Sequence, residues 1–357
     1  MASALDDDDL MGGAAGGAST EARTALAVKH EATTSYLPFV EKYRPTQLDE
    51  LVSQSDIIST VSRLIDAGRL PHLLFYGPPG TGKTTTILAL ARKLYGPNFQ
   101  SMVLELNASD DRGIDVVREQ IKTFAGTRKL FSTGVKLVIL DEADAMTNDA
   151  QFALRRVIEK FTRTTRFCII CNYVSKIIPA LQSRCTRFRF APLLKEDMER
   201  RLRFVIDKEA LGARVRDNGV AAILRLAGGD MRKVLNVLQA TASGFPLVDA
   251  AAVYACTGNP TPTDVTAVLH ALLNKPVREA HADLLALARR GFALTDILVA
   301  VAATVVLVAM PPDALRFIVG RLADIEHRLA FGTTDKVQGA ALVGAFAELR
   351  ALMDAKK

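Results

Sequence analysis

The sequence has no tryptophan and only 4 cysteines among its 357 residues. That number of cysteines is too small for a disulfide framework, and a reducing compartment suits them best. Cys168 and Cys171 form a single C-x-x-C motif inside an apolar run that predicts a buried strand. Because residues three apart on a strand point to opposite faces, the motif does not predict a zinc or redox site.

The sequence also shows neither a secretory signal nor a membrane-spanning run. Residues 6–9 are all aspartate, where a secretory signal requires basic residues. The longest apolar run, residues 297–310, is too short to span a bilayer comfortably and predicts a buried core helix. The net charge of +6 permits a nucleic-acid partner without requiring one. We therefore expect a protein without a membrane partner.

The chain divides into segments of different character. Residues 1–35 have no apolar period and predict a disordered leader. In residues 36–191 strand-like and helix-like runs alternate, which predicts an α/β fold with a parallel sheet and ligands at the carboxyl ends of the strands. Residues 192–255 and 256–357 show helical periods alone, so two all-helical domains are expected after the sheet. The predicted strands are residues 72–76, 102–106, 135–140, 167–171 and 187–190.

A glycine-rich stretch follows the first predicted strand. It fits the phosphate-binding pattern G-x-x-x-x-G-K-[ST], and apolar residues at helical spacing come after it. A strand, a glycine loop and a helix start together form an anion site, because backbone N–H groups and the helix dipole both favour negative charge there. Lys83 is predicted to lie along the β- and γ-phosphates of a nucleoside triphosphate, and the Thr84 hydroxyl to bind Mg²⁺. The stretch consists of Gly77, Pro78, Pro79, Gly80, Thr81, Gly82, Lys83, Thr84 and Thr85.

Two carboxylates follow the predicted strand at residues 135–140. Asp141 is predicted to hold Mg²⁺, directly or through water, and Glu142 to polarise the attacking water. The alternative is that Glu142 only caps the next helix. Residues 141–144 spell D-E-A-D, the signature of a helicase class, but that class requires a differently built glycine loop and a second motor domain.

For four polar residues the sequence alone does not decide between a role at the nucleotide and an ordinary structural or solvated position. Asn172 and Asn107 each end a predicted strand, where a carboxamide can orient water or the γ-phosphate, or simply turn the chain. Arg232 opens a predicted amphipathic helix, and Arg184 lies in a Ser-Arg-Cys triplet. A single arginine at such a position is usually solvated.

Short blocks of the sequence together resemble a known family. They are V-E-K-Y-R-P at residues 40–45, L-N-A-S-D-D-R-G at 106–113, A-L-R-R at 153–156 and S-R-C at 183–185. The set resembles the small subunits of replication factor C, the eukaryotic clamp loader within the AAA+ ATPases, over roughly residues 37–350. Phe39 stands where the family commonly has Trp, and Phe152 where Asn is usual.

The resemblance implies a fold, cofactors and partners. The expected fold is a AAA+ P-loop parallel-sheet domain, then a small helical lid domain and an all-α collar domain used for oligomerisation. The expected cofactors are ATP and Mg²⁺. The expected partners are the other replication factor C subunits in a nuclear heteropentamer, which opens the sliding clamp (proliferating cell nuclear antigen) and loads it onto primer-template DNA.

Position by position, the resemblance also assigns roles around the nucleotide. It makes Asn172 the sensor that reads the γ-phosphate, and Arg232 a second sensor that reaches the nucleotide from the lid. It puts Tyr43 and Arg44 beside the adenine, where Phe39 is expected to alter the packing.

Further roles implied by the resemblance concern a neighbouring subunit and DNA. Arg184 becomes an arginine finger that acts in trans on the ATP of the adjoining subunit. Asn107 becomes the switch that holds Glu142 away until DNA arrives.

Basic residues at two helices are candidates for DNA contact. The helix beginning near residue 113 offers free N–H groups and Arg118, and Arg155 or Arg156 adds to these. No aromatic residues interleave with these charges, so we expect contact with the DNA backbone rather than base stacking or sequence readout. Ordinary surface arginines are the alternative.

Two other functions remain open at this stage. One is a homo-oligomeric AAA+ motor such as a branch-migration helicase. The other is a subunit that binds ATP structurally while its neighbours hydrolyse it.

Overall fold

The computed structural model describes residues 37–51, 53–108, 114–127 and 134–354, with the backbone alone given for residues 114–118. The predicted leader at residues 1–35 and the side chain of Arg118 lie outside the described part. In the described residues, no helix is both long enough and apolar enough to cross a membrane.

A five-stranded sheet with the order β2-β3-β4-β1-β5 forms the centre of the first part of the chain, and all of its strand pairs are parallel. All of the predicted strands are present, with ends that differ by a few residues. The second strand begins at Val103 because Met102 ends a short helix. The strands are β1 (Leu73–Tyr76), β2 (Val103–Asn107), β3 (Lys136–Asp141), β4 (Thr165–Cys171) and β5 (Thr186–Arg189).

Both faces of this sheet are covered, which explains the uninterrupted apolar runs of its strands. Leu137 and Ile139 of β3 belong to the apolar cluster on one face, and Val138 and Leu140 to the cluster on the other. The C-x-x-C cysteines divide in the same way, since Cys168 lies in the first cluster and Cys171 in the second. The prediction that they point to opposite faces is confirmed.

Helices connect the strands and form most of the regular structure in the rest of the described chain. The first helices are α1 (Phe39–Lys42), α2 (Ser55–Asp66), α3 (Lys83–Tyr95), α4 (Phe99–Met102), α5 (Ile114–Gly126), α6 (Asn148–Phe161) and α7 (Pro179–Gln182). The later ones are α8 (Lys195–Lys208), α9 (Asp217–Ala227), α10 (Met231–Gly244), α11 (Ala250–Thr257), α12 (Pro262–Asn274), α13 (Val277–Arg289), α14 (Leu294–Val305), α15 (Pro312–Ala330) and α16 (Asp335–Asp354).

The chain separates into two compact units. The first contains the residues up to Asp197 together with Gly229–Gln239, and the second contains Met198–Gly228 and Ala240–Lys357. The start of α10 thus belongs with the sheet, which the contiguous division of the sequence did not anticipate. The predicted boundary between residues 255 and 256 falls inside α11, and the three-domain division stays a prediction.

The second unit has its own apolar core. Its helix α12 begins at a recognisable signal, since Thr261 and Asp264 form a reciprocal capping box and Pro262 takes the first helical position. The apolar run at residues 297–310 is only in part the predicted core helix. Its first part lies in α14, which buries one side of the helix, whereas Val299 on that helix is 55% exposed and Leu307, beyond the helix end, is 84% exposed.

A buried histidine of the first unit leads to a prediction about acid stability. His72 accepts a hydrogen bond at Nδ1 from the Phe167 N–H at 3.1 Å, and burial, with the charge of Arg166, lowers its pKa to about 4. The unfolded chain binds the proton near pH 6.5, so His72 contributes stability above that pH. This contribution, about 3 kcal/mol, is lost as the pH falls from 6.5 to 4.

We expect His72→Asn to remove this part of the acid sensitivity, because the Asn Oδ1 can accept the same N–H without titrating. The measurement is the free energy of unfolding of wild type and variant at pH 7.5 and pH 5. His270→Asn, at an exposed position, is the control and should behave as wild type. An equal loss of stability in wild type and His72→Asn would contradict the assignment.

Candidate nucleotide site

The glycine loop joins β1 to α3, and its three glycines all have a positive φ, which favours glycine. Gly77 has φ 142° and its Cα lies so close to Phe190 that an added Cβ would be 2.1 Å from the Phe190 carbonyl oxygen. Gly82 has φ 91° and is the N-cap of α3. A glycine cap has no side chain that could bond the first N–H groups of the helix. The start of α3 therefore has the features of an anion site.

The remaining loop residues surround this position. Pro78 and Pro79 are exposed, and Thr81 is buried with its hydroxyl donating to the Pro78 carbonyl oxygen at 2.9 Å. Thr85 is half-buried in the first turn of α3.

The ammonium group of Lys83 is bound inside the loop. It donates to the carbonyl oxygens of Gly77 and Pro78, both at 2.8 Å, and to Asn172 Oδ1 at 3.0 Å. Burial lowers the pKa of Lys83, while the nearby Asp141 acts in the opposite direction. The structure therefore brings Asn172 to Lys83.

Asn172 is itself held by a neighbouring carboxylate. Asp144 Oδ2 accepts from the backbone N–H groups of Asn172 and Tyr173, at 3.4 and 3.3 Å. Asp144 is the last letter of the D-E-A-D sequence. These contacts give it a structural role, which the sequence did not reveal.

Thr84 and Asp141 bring together two oxygen groups of the kind that a magnesium ion prefers. The Thr84 hydroxyl donates to Asp141 Oδ2 at 2.6 Å. Hydroxyl and carboxylate oxygens are hard ligands that suit Mg²⁺, which usually keeps several waters beside one or two carboxylates. The two residues predicted to bind Mg²⁺ therefore fit that ion.

The backbone of Glu142 lies in the left-handed region, with φ 53°. A non-glycine residue there costs about 1 to 3 kcal/mol, and such strain clusters at functional sites. The Glu142 N–H donates to Asp141 Oδ1 at 2.9 Å, and the side chain is exposed. On the neighbouring strand Asn107 lies opposite Asp141 in the register, so the predicted switch residue shares this edge of the sheet.

The start of α10 contacts the glycine loop directly. The Met231 N–H donates to the Gly80 carbonyl oxygen at 3.2 Å, and a Cβ on Gly80 would lie 1.6 Å from Asp230 Oδ1. Asp230 Oδ1 also accepts from the N–H groups of Arg232 and Lys233, at 2.8 and 3.2 Å. Arg232 is near enough for its charge to contribute to the lowered pKa of Lys83.

The role of Asp230 was not predicted from the sequence. The available signal was an N-cap type of residue directly before the first turn of a predicted helix. Only the contact with Gly80 shows that the helix start and the loop depend on each other.

The residues predicted at the adenine side lie around α1. The rings of Phe39 and Tyr43 meet edge to face at 5.9 Å, and the Phe39 N–H donates to Gln239 Oε1 at 2.9 Å. Arg44 lies 3.5 Å from Glu41 in an exposed ion pair. Phe39 therefore packs on Tyr43, while the adenine contacts of Tyr43 and Arg44 stay predictions.

Arg184 has partners that do not belong to the glycine loop. Its Nη1 donates to the Ala180 carbonyl oxygen at 2.7 Å, and its Nη2 to Glu159 Oε1 at 2.5 Å. Glu159 also accepts from Arg155 Nε at 3.1 Å, and the two arginines hold the pKa of its carboxyl below the usual value. Arg156, the other candidate for DNA contact on this helix, is exposed.

Comparisons with known proteins give two family matches. Residues 73–193 match the family model of the ATPase family associated with various cellular activities (AAA), and residues 260–345 match the replication factor C C-terminal domain.

The chain is 54% identical to replication factor C subunit 5 of Arabidopsis thaliana, over 88% of each chain. It is 53% identical to subunit 5 of Homo sapiens, over 90% of this chain and 94% of that one, and 51% identical to subunit 3 of Saccharomyces cerevisiae, over 87% and 92%. Among solved structures, the Thermotoga maritima RuvB Holliday junction branch migration motor aligns with a TM-score of 0.48 at 15% identity, over 76% of this chain and 93% of that one. With half of its residues shared with these relatives over almost their whole length, the chain belongs to the replication factor C family, within the AAA ATPases.

Proposed function

We propose that this chain, as an ATPase subunit of the clamp loader replication factor C, carries one ATP site of a heteropentamer and works in the nucleus. The observation that carries the proposal is the group of contacts around Lys83. Its ammonium is bound to the loop carbonyls and to Asn172, while Thr84 and Asp141 lie on the following helix and a neighbouring strand with their oxygens 2.6 Å apart.

The chemistry proposed for the site follows from the same residues. The N–H groups at the start of α3 and the Lys83 ammonium bind the phosphates, and Asn172 and Arg232 contact the γ-phosphate side. Mg²⁺, when bound by Thr84 and Asp141, supplies positive charge against the phosphate oxygens. Glu142 acts as the base that orients the attacking water.

A neighbouring subunit completes the site in this proposal. Arg184 stabilises the transition state of the adjoining subunit's reaction, and another subunit provides the corresponding arginine here. Two observations support this division. Arg184 is bonded to Ala180 and Glu159, not to the loop, and its side chain keeps 32% of its surface exposed.

The proposed cycle couples ATP to the sliding clamp and to DNA. ATP binding stabilises the assembled form that opens the clamp, proliferating cell nuclear antigen, and hydrolysis releases the clamp on primer-template DNA. The start of α5, Arg118, Arg155 and Arg156 are the proposed contacts to the DNA backbone. The exposed side chain of Arg156 supports this.

The experiment that tests the proposal replaces Glu142 with glutamine in this chain alone, within the reconstituted complex. Hydrolysis at this site is expected to fall by about 10²- to 10⁴-fold because the water loses its base, while ATP binding is retained. DNA-stimulated turnover and clamp loading are measured together. Glu105→Gln, an exposed carboxylate of β2, is the control and should leave both unchanged.

Two outcomes would favour the other functions. Unchanged turnover and loading in Glu142→Gln would mean that this chain binds ATP structurally. A stable homohexamer in native mass spectrometry would indicate a homo-oligomeric motor instead.

A further inference from the structure

One carboxylate oxygen of the first unit receives two arginines. Glu159 Oε1 accepts from Arg184 Nη2 at 2.5 Å and from Arg155 Nε at 3.1 Å. Through its second terminal nitrogen, Nη1, the Arg184 guanidinium donates to the Ala180 carbonyl oxygen at 2.7 Å. Two fixed acceptors on two different helices, α6 and α7, therefore determine where this guanidinium points.

Glu159 is well suited to hold another side chain. It lies in the last turn of α6, whose inner face is anchored by the buried side chains of Leu154, Val157 and Ile158. Arg155 precedes it by four residues on the same helix, the spacing at which side chains of a helix meet. The packed helix and Arg155 therefore both restrain the carboxylate that accepts from Arg184.

Thermodynamic stability does not explain this pair. The side chains of Arg184 and Glu159 are 32% and 43% exposed, and exposed ion pairs contribute little to folding. The remaining consequence of the ion pair is that it orients the Arg184 guanidinium. A guanidinium has five N–H donors in a rigid fork, and the two bonds to Ala180 and Glu159 use two of them. The anchored group keeps enough donors to bind a phosphate as well.

We propose that Glu159 is a positioning residue for Arg184, holding its guanidinium in the orientation that the neighbouring subunit's ATP requires. This inference rests on the proposed action of Arg184 in trans. A long side chain held in place gives up little further freedom when the phosphate arrives, so it stabilises the transition state more than a free one. Glu159 itself touches neither nucleotide nor reacting atoms.

The test is a double-mutant cycle in the reconstituted loader, with Glu159→Ala, Arg184→Ala and the double variant in this chain. Single-turnover phosphate release is measured, so that a slowed site separates as its own phase. Glu159→Ala is expected to slow the neighbouring site by about tenfold to a hundredfold, without changing the ATP concentration at half-saturation. In the Arg184→Ala background, Glu159→Ala should have no further effect.

Two more variants separate positioning from folding. Glu159→Gln keeps an acceptor oxygen without the charge, and it should restore part of the rate. Glu199 accepts two bonds from Arg203, at 2.9 and 2.8 Å, in a comparably exposed pair elsewhere. Glu199→Ala is therefore the matched control and should leave phosphate release unchanged.

The outcomes separate the role of Glu159 from the action of Arg184 in trans. If Arg184→Ala leaves the neighbouring site unchanged, action in trans is wrong, and the role of Glu159 is overturned with it. If Arg184→Ala slows that site but Glu159→Ala does not, the role of Glu159 alone is overturned. The role of Glu159 is also overturned if Glu159→Ala slows phosphate release equally with and without Arg184.

Discussion

Replacing Arg184 with alanine is expected to slow ATP hydrolysis in the adjoining subunit by about 10³- to 10⁵-fold, the range measured for arginine fingers in related chemistry. The physical reason is that negative charge is spread over the γ-phosphate oxygens and builds up on the leaving oxygen in the transition state, and a guanidinium supplied from outside stabilises that charge. ATP binding by this chain should not change, because Arg184 is bonded to Ala180 and Glu159 and not to the glycine loop.

Two measurements check this prediction. Equilibrium titration of the isolated chain with a fluorescent ATP analogue gives the affinity of this chain for ATP. Phosphate release by the reconstituted loader gives the rate of hydrolysis in the adjoining subunit. Arg187→Ala is the matched control, since Arg187 is an exposed arginine three residues away on β5. An equal loss of binding in this chain after Arg184→Ala would mean that the arginine serves its own site.

Replacing Lys83 is expected to weaken ATP binding by this chain by about 30-fold to several thousandfold. Removing one partner of a desolvated charge interaction costs roughly 2 to 5 kcal/mol, which corresponds to that range. Lys83 is 8% exposed, and its ammonium is already surrounded by two carbonyl oxygens and Asn172 Oδ1.

The variants for this second prediction separate charge from packing. Lys83→Met keeps the apolar stem and removes the charge, whereas Lys83→Ala also leaves a cavity. Both should lose affinity in the same titration, with circular dichroism confirming that the fold is kept. Lys93→Ala is the control on the same helix, where the ammonium bonds to the Ser62 hydroxyl at 2.7 Å. Retained affinity in Lys83→Met would contradict the assigned role.

Much of the first unit could be predicted because its signals are local. Alternating apolar runs predict strands and helices, and β3 and β4 carry continuous apolar runs because a parallel sheet is buried on both faces. The loop at residues 77–85 identifies itself for a similar reason. Its glycines are required by backbone conformation and close approach, as at Gly77 against Phe190, so they appear in the sequence at fixed spacing.

The less predictable parts depend on contacts between distant positions. The sequence left Asn172 between two roles, and the sheet order resolves its position because β4 lies beside β1. Asp230 was missed because a helix cap looks the same wherever the helix starts. The boundary predicted after residue 255 misses the end of α11, since apolar periodicity does not mark a helix end as sharply as Gly258 with φ 67° does.

The sequence by itself therefore predicted a nucleoside-triphosphate site in a loop between a strand and a helix, and it determined which carboxylates follow the partner strand. Tertiary structure alone decided which groups meet: Lys83 with Asn172, Gly80 with Asp230, and Arg184 with Glu159. The reason is physical. The signals of the glycine loop and of the helices come from residues that are adjacent in the sequence. These pairs form only after strands and helices far apart in the sequence have packed.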